Sequence, residues 1–242
     1  EAALRVRDGL GAADAAALFK LYTKVLAQKR DWLATFMAKW SKDWPGCGGH
    51  MHMSLWKDGR PVFFDENEPH RMSRTMRQFV GGQRALMPEL LSMVASNVNS
   101  YRRLIPGFWA PTASTWGVEN RTTSLRVIPG SAKSTRVEYR VAAADANPYL
   151  AFAAMIGAGL YGVAHHLELP PAYDGNAYGA TDVQRLPFTL RLAAQAFDGS
   201  AVAREILGHE VVDHYALTAR HEADAFDRAV TDWEMARYFE QG

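Results

Sequence analysis

Hydrophobic and polar positions follow two different periods along the chain. Apolar residues recur every three or four positions in 12–30, which predicts an amphipathic helix. The same spacing predicts further helices over 73–95, 147–166, 188–197, 200–207 and 209–238. Pro88 lies inside 73–95, and it should kink or divide that helix because proline lacks an amide hydrogen and clashes with the preceding turn.

Strand-like alternation is concentrated between 33 and 141. A short strand is predicted at 34–37, and longer ones at 50–56, 122–128 and 134–141. Pro129 and Gly130 should form the turn between the last two strands, and loops are expected at 40–49 and 169–180. Strands grouped in one part of the chain, with helices before and after it, predict an α+β fold.

The run 146–167 contains no Asp, Glu, Lys or Arg and is the only candidate for a membrane span. Many of its residues are Ala or Gly, which contribute little to partition into a bilayer. Asn147 and Pro148 are typical of the first turn of a helix in a globular protein. A buried core helix is therefore favoured over a membrane span, and residues 1–30 lack the apolar core of a signal peptide.

Composition limits the class and the location of the protein. Of 242 residues, 48% are apolar and 22% charged, which allows a substantial buried core and excludes a disordered chain, a collagen and a disulfide scaffold. The single Cys47 cannot form an internal disulfide, so we expect a reducing compartment, namely the cytoplasm. Lys plus Arg total 27 and Asp plus Glu 26, and this balance does not favour nucleic-acid binding.

The predicted strand 50–56 has one polar and one apolar face, because alternate side chains point to opposite sides of a strand. The polar face carries His50, His52 and Ser54, and the apolar face carries Met51, Met53 and Leu55. This pattern fits either a solvent-facing strand or a polar pocket backed by a core. Two histidines two residues apart are weak evidence for a metal site by themselves.

Arginine is concentrated between 101 and 140. This window holds six arginines and Lys133 against Glu119 and Glu138, a local net charge of +5. Within it, Arg136, Glu138 and Arg140 share one face of the predicted strand 134–141. These three residues could form a ladder of ion pairs on the surface, or they could be part of a binding site. Because the guanidinium fork binds phosphates and carboxylates, a small anionic ligand is favoured over nucleic acid and over a solvated face.

Four segments, followed by 145–154, together resemble the catalytic domain of the glutamine synthetase family. They are 46–55 (GCGGHMHMSL), 99–107 (NSYRRLIPG), 120–127 (NRTTSLRV) and 136–140 (RVEYR). The likeness extends over the whole chain. It implies one catalytic domain, 1–242, with an antiparallel sheet forming part of an open barrel and helices packed outside. Because the chain starts at Glu1, we expect its N-terminal part, including a small β-grasp domain, to be missing.

The resemblance also implies a reaction. Members of the family join an amine to the γ-carboxylate of glutamate at the expense of ATP, through γ-glutamyl phosphate and with a pair of magnesium or manganese ions. The implied partners are therefore glutamate, ATP and an amine or ammonia, without nucleic acid or membrane. The family's sites lie between neighbouring subunits, which implies a homo-oligomer arranged as a ring or a double ring.

Site residues are carried over by position from the family's motifs. Glu1, His50 and Glu138 match metal ligands, and Gly46, Arg103 and Arg140 match contacts to glutamate. His52, Ser54, Lys133 and Arg136 match contacts to ATP. Arg121 matches the arginine that stabilises the transferring phosphoryl group, and Arg126 matches a nearby phosphate contact.

The chain departs from the family at its flexible flap. The family's flap usually reads Pro-Gly-Tyr-Glu-Ala-Pro, whereas 106–111 reads Pro-Gly-Phe-Trp-Ala-Pro, and Pro45 stands where ammonia-using members commonly have Asn. Trp109 cannot act as the family's base, but its ring could hold an alkylammonium or a polyamine. These departures predict an acceptor amine larger than ammonia. The alternatives are that Trp109 only packs the flap, that the protein is a true glutamine synthetase, or that it is a non-catalytic scaffold.

Overall fold

The computed structural model describes residues 2–241. In this part of the chain most of the regular structure is helical. The α-helices are α1 (Leu10–Gln28), α2 (Arg74–Leu86), α3 (Leu91–Val94), α4 (Val98–Arg103), α5 (Pro148–Ala164), α6 (Leu190–Asp198), α7 (Ala201–Leu207), α8 (His209–Asp227) and α9 (Asp232–Tyr238). Short 3-10 turns occupy Pro69–Arg71 and Ala177–Gly179.

Side-chain caps set where several of these helices begin. Ser73 accepts a hydrogen bond from the amide of Met76 at the start of α2, and Asn147 accepts from two amides at the start of α5. Pro88 separates α2 from α3, as predicted. The single helix predicted over 209–238 is wrong at 228–231, because Thr231 forms a capping box with Glu234 and begins α9.

The strands form one four-stranded sheet and one small hairpin. They are β1 (Met51–Met53), β2 (Trp56–Lys57), β3 (Arg60–Pro61), β4 (Trp116–Val118), β5 (Leu125–Ile128) and β6 (Arg136–Tyr139). The sheet has the order β1-β6-β5-β4, and β2 pairs with β3. Strand β6 is antiparallel to both of its neighbours, whereas β4 and β5 are parallel. The prediction of an antiparallel sheet is therefore wrong in this respect, and the sheet is mixed.

The observed strands differ from the predicted ones at β4, which was not predicted, and at 34–37, where a strand was predicted. β4 follows no alternation in the sequence that would predict it, and the loop 119–124 returns the chain to the start of β4 before β5 begins. The strand predicted at 34–37 is absent, because this segment has no strand partner among residues 2–241. The open barrel and the missing N-terminal part stay predictions.

The sheet has an apolar face towards the helices and a polar face on the other side. Val137, Leu125 and Val127 are fully buried in a core that also contains Phe79 of α2 and Met155 of α5. Helices α2 and α5 approach closely, and a side chain at Gly82 would collide with the backbone of α5. The run 146–167 is thus mainly a core helix, and within the described residues no helix has the length and apolar content to cross a membrane.

Candidate active site

The central strand β6 places Glu138 between two polar neighbours. Glu138 is the register partner of His52 on β1 and of Arg126 on β5. Register partners on adjacent strands project from the same face of a sheet, so these three side chains form a row across the polar face. His50, at the entrance to β1, and Arg140, at the exit of β6, extend this row.

Three side chains lie within 3.2 Å of the carboxylate of Glu138, which is only 4% exposed, and Nε2 of His52 lies 4.0 Å from it. Nδ1 of His50 lies 3.0 Å from Oε1, and Nη1 of Arg140 donates to the same oxygen at 2.9 Å. Nη1 of Arg126 donates to Oε2 at 3.2 Å. Because Glu138 and Arg140 are buried, the ladder of exposed surface ion pairs that the sequence left open is excluded.

These contacts keep Glu138 ionised. Burial opposes ionisation, but the hydrogen bond with His50 and the charge of Arg140 outweigh it and lower the pKa of Glu138 from its ordinary value of 4.5 to about 2. A buried carboxylate with several cationic neighbours is an arrangement typical of sites that bind charged ligands.

Arg126 is held by two carboxylates at once. Besides Glu138, it contacts Glu119 through Nε, 2.9 Å from Oε2, and through Nη2. Burial disfavours the charge of Arg126, but the hydrogen bonds and charges of Glu119 and Glu138 outweigh it and raise the pKa of its guanidinium. Glu119, which follows β4, was not predicted as a site residue, and no periodicity in the sequence singled it out.

Three of the four residues predicted to contact ATP make side-chain hydrogen bonds within 2–241, and Lys133 makes none. Nε of Arg136 donates to Nδ1 of His52 at 3.3 Å, and Ser54 accepts a hydrogen bond from the indole of Trp56 at 3.1 Å. Burial, assisted by the nearby cations, lowers the pKa of His52 against the opposing charge of Glu138, which favours the neutral imidazole. Lys133 is exposed in the loop between β5 and β6.

The residues predicted to bind glutamate lie together at the end of β6. Arg103 is 3% exposed, and its Nη1 and Nη2 donate to the carbonyl oxygens of Val141 and Arg140 at 2.8 and 3.1 Å. Burial and the charge of Arg140 lower the pKa of Arg103 to about 10. Gly46 packs against Arg103, since a Cβ at Gly46 would lie 2.8 Å from Cγ of Arg103. Within the described residues, Nε of Arg140 is buried without a hydrogen-bond partner.

A tyrosine that sequence reasoning missed accompanies these arginines. The hydroxyl of Tyr178 is buried and has no hydrogen-bond partner in 2–241. Burial raises the pKa of Tyr178, against the positive charges of Arg140 and Arg103. Its segment is fixed to the β4–β5 loop, where Thr122 accepts a hydrogen bond from the amide of Ala177 at 2.9 Å. The sequence indicated only a loop there.

Two predicted residues project from loops instead of joining the buried row. Arg121 is exposed in the β4–β5 loop, and its side chain makes no hydrogen bond or ion pair with residues 2–241. Trp109 of the flap is 62% exposed and has a positive φ of 59°. Glu1 lies outside the described residues.

The donor atoms fit part of a metal site. His50 and Glu138 bring an imidazole and a carboxylate within 3.0 Å of each other, and these donor types suit divalent cations such as manganese and magnesium. No group of three or more His, Cys, Asp or Glu residues within 2–241 could hold a metal ion. The described residues therefore offer two of the donors that a divalent ion requires.

The arrangement of buried charges and the fold define a glutamine synthetase type of catalytic domain, and comparison with known proteins agrees. A family model described as "Glutamine synthetase, catalytic domain" matches residues 1–238. The chain belongs to the glutamine synthetase family, which confirms the resemblance read from its sequence. The family's enzymes are ATP-dependent ligases that use divalent metal ions.

The similar proteins include enzymes named as glutamine synthetases and enzymes named for ethanolamide or isopropylamine. Type-1 glutamine synthetase 2 of Dictyostelium discoideum is 46% identical over 246 residues, covering 99% of this chain and 47% of that protein. Gamma-glutamylethanolamide synthetase GlnA4 of Streptomyces coelicolor is 44% identical, covering 100% and 51%. Glutamate–isopropylamine ligase of a Pseudomonas species is 39% identical, covering 98% and 52%. The chain thus spans about half the length of the curated relatives it matches.

Solved structures support the same fold. A structure described as apo GmaS without ligand has a TM-score of 0.87 and 31% identity, covering 96% of this chain and 54% of that one. A GmaS complex with ADP has a TM-score of 0.85 at the same identity, covering 94% and 54%. The domain therefore has the glutamine synthetase catalytic fold, with a mixed sheet and surrounding helices.

Proposed function

We propose that the protein is an ATP-dependent glutamate–amine ligase whose acceptor is an amine larger than ammonia. The observation that carries the acceptor assignment is Trp109, exposed on the flap where the family usually has glutamate. The names of two relatives support the same substrate class, because one names an ethanolamide product and the other names isopropylamine as the amine that is joined to glutamate.

The cluster around Glu138 suits phosphoryl transfer. That reaction spreads negative charge over several oxygens, so its catalysis depends on positioned cations more than on a protein nucleophile. In the proposed reaction an oxygen of the glutamate γ-carboxylate attacks the γ-phosphorus of ATP, and ADP leaves. The nitrogen of the amine then attacks the γ-carbonyl carbon, phosphate leaves, and the nitrogen loses a proton.

The site residues divide by ligand in this scheme, into contacts to glutamate, to the phosphoryl group, to ATP and to a metal ion. Arg103 and Arg140 hold the substrate glutamate, Arg140 with its unpartnered Nε and Gly46 with its backbone. Arg121 has no partner in the described residues and is free to meet the transferring phosphoryl group, and Arg126 contacts a phosphate oxygen. His52, Ser54, Lys133 and Arg136 contact ATP. His50 and Glu138 would hold a magnesium or manganese ion, which supplies positive charge to the phosphate oxygens.

Trp109 gives the flap a surface for an organic cation. An alkylammonium contacts an indole face by cation–π attraction and by burial of its carbon atoms, worth about 1–2 kcal/mol when water is excluded. Ammonium lacks the carbon atoms and is strongly hydrated, so it gains less from the same ring. The acceptor site is therefore selective for substituted amines.

The test is the initial rate of ADP formation with glutamate, ATP and magnesium, using ammonia, methylamine, ethanolamine or putrescine as acceptor. We expect kcat/KM for at least one substituted amine to exceed that for ammonia about tenfold or more. Glutamate labelled with ¹⁸O in its γ-carboxylate should transfer one labelled oxygen to phosphate. Equal or better use of ammonia would contradict the acceptor assignment, and unlabelled phosphate would contradict the intermediate.

A true glutamine synthetase is the second candidate, favoured by the 46% identity to a protein of that name. The same rates distinguish it, because it would show ammonia as the best acceptor. A non-catalytic scaffold is less consistent with the buried charges around Glu138, which cost stability unless a ligand uses them. Absence of ATP binding in the presence of magnesium, measured by calorimetry, would favour the scaffold.

We also propose a quaternary structure and a location, which family membership supports. The protein is a cytoplasmic homo-oligomer with its subunits in a ring or a double ring, and the catalytic domain 1–242 contributes part of an active site that lies between neighbouring subunits. Light scattering of the purified protein tests the assembly. A monomer that turns over glutamate and ATP would contradict it.

A further inference from the structure

Lys39 is a buried lysine that pairs with no carboxylate in the described part of the chain. It lies in the loop between α1 and β1 and is 7% exposed. Its Nζ lies 4.3 Å from the ring centroid of Phe108 and donates to the carbonyl oxygen of Trp44 at 2.5 Å. Phe108 belongs to the flap and precedes Trp109, so the ammonium of Lys39 connects the flap to the loop 38–47.

The backbone of Lys39 is fixed independently of its side chain. Its amide donates to Oδ1 of Asn99 at 2.8 Å, and Nδ2 of Asn99 donates to the carbonyl oxygen of Lys39 at 2.9 Å. Asn99 belongs to α4, and the amide of Cys47 donates to the carbonyl oxygen of Ala38 at 2.7 Å. Lys39 is therefore anchored to a helix and to the Gly46 segment, and its side chain extends from this anchor to the flap.

The flap, 106–111, and the two residues before it have mainly local backbone contacts. The amides of Leu104, Ile105 and Phe108 each donate to a carbonyl oxygen two or three residues away, at 2.8–3.3 Å. Trp109 and Ile105 are exposed. Such a segment opens easily unless a side chain holds it. A buried ammonium has lost most of its water, which strengthens its attraction to an aromatic face.

We propose that Lys39 is the positioning residue of the flap, and that its cation–π contact with Phe108 is a latch. The latch keeps the flap against the Gly46 loop and excludes water from the acceptor site. Its catalytic consequence rests on the proposed function, whereas the latch itself does not. When the latch is open, a water oxygen can attack the γ-carbonyl carbon of γ-glutamyl phosphate, the bond to phosphate breaks, and glutamate is regenerated.

Hydrogen exchange of residues 104–110, followed by mass spectrometry of the purified protein, tests the latch without reference to activity. K39M keeps the stem and removes the charge, F108L removes the ring, and F108Y keeps it. We expect about tenfold faster exchange in K39M and in F108L, and wild-type exchange in F108Y. The control K42M removes a neighbouring exposed charge and should leave exchange unchanged.

The double variant K39M/F108L separates a latch from two independent packing effects. If the two side chains act through their contact with each other, the exchange rate of the double variant should equal that of either single variant. If the two single-variant increases in exchange rate multiply in the double variant, the proposal is overturned. Unchanged exchange in K39M or F108L also overturns it. If K39M does not fold, the comparison of F108L with F108Y decides alone.

The catalytic readout is the ratio of ATP consumed to γ-glutamyl amide formed. K39M should raise this ratio, with phosphate and unchanged glutamate as the additional outcome, and F108Y should restore coupling relative to F108L. If K39M shows fast hydrogen exchange in the flap but still consumes one ATP for each γ-glutamyl amide formed, Lys39 has only a structural role and its positioning role is overturned. A different result would count against the proposed function. In that case the wild-type protein has a protected flap but shows no turnover with ammonia or with any amine.

Discussion

Nδ1 of His50 lies 3.0 Å from Oε1 of Glu138, which joins the entrance of β1 to the middle of β6. The same carboxylate also accepts hydrogen bonds from Arg140 and Arg126. Glu138 is thus the one group that all three contact, and its charge balances the two arginines on the polar face of the sheet. Changing this residue should affect stability and chemistry together.

Replacing Glu138 by Gln should destabilise the metal-free protein by about 3 kcal/mol at pH 7, because the buried cations lose their counter-charge. The folded-state pKa of about 2 lies below the ordinary 4.5, so the ionised carboxylate stabilises the fold fully above pH 4.5. This contribution is lost as pH falls from 4.5 towards 2. Urea unfolding in EDTA at pH 7, 4 and 3 should show the wild type and E138Q converging.

The matched control for that experiment is E119Q, which alters the other carboxylate on Arg126. The side chain of Glu119 is 47% exposed, so E119Q should lose less than about 1 kcal/mol. A difference between wild type and E138Q that stays constant with pH would show that Glu138 is not ionised in the fold as described.

Arg121 should matter for the reaction and not for the fold. R121Q removes a cation that is exposed and makes no ion pair in the described residues, so the free energy of unfolding should change by less than about 0.5 kcal/mol. Loss of one positioned charge at the transferring phosphoryl group should lower kcat about 100- to 1000-fold. Chemical denaturation and steady-state rates check both parts. A kcat within a few-fold of wild type would remove Arg121 from the catalytic scheme.

Exchanging Trp109 for Glu should change the preference for the acceptor. W109E removes the indole face and supplies a carboxylate, which attracts ammonium, so the ratio of kcat/KM for a substituted amine to that for ammonia should fall about tenfold. W109F keeps an aromatic face and should retain most of the preference. Equal preferences in W109E and wild type would indicate that Trp109 only packs the flap.

Gly46 should tolerate no side chain. In G46A the new methyl group would meet the carbonyl of Ala38 and the stem of Arg103, and the resulting overpacking should cost about 1–3 kcal/mol. Displacement of Arg103 should also raise KM for glutamate more than KM for ATP. Gly179 faces open space, so G179A serves as the control. Wild-type stability and kinetics in G46A would contradict this packing.

The sequence predicted those parts of the fold that depend on local pattern. The helix over 147–166 and the division at Pro88 are confirmed, because a cap, a proline and an apolar period act within one segment. The parallel pairing of β4 with β5 was not predictable in this way. It depends on how the loop 119–124 returns, and no alternation marks β4.

The site was predictable where residues two apart share a strand face. That rule put His50 and His52 on one face of one strand and Glu138 and Arg140 on one face of another, and the sheet register then brings the two faces together. Glu119 and Tyr178 escaped notice because loops bring them to the arginines, and a loop path has no period. Lys39 escaped for the same reason: its contact with the flap crosses 69 positions of sequence.

The most direct test of the proposed ligase is a competition in one vessel. The enzyme receives glutamate, ATP and magnesium with equal concentrations of ammonia and ethanolamine, and mass spectrometry measures the two γ-glutamyl products. We expect the ethanolamide, or the product of another substituted amine used in its place, to exceed glutamine about tenfold or more. Glutamine as the main product against every substituted amine would contradict it.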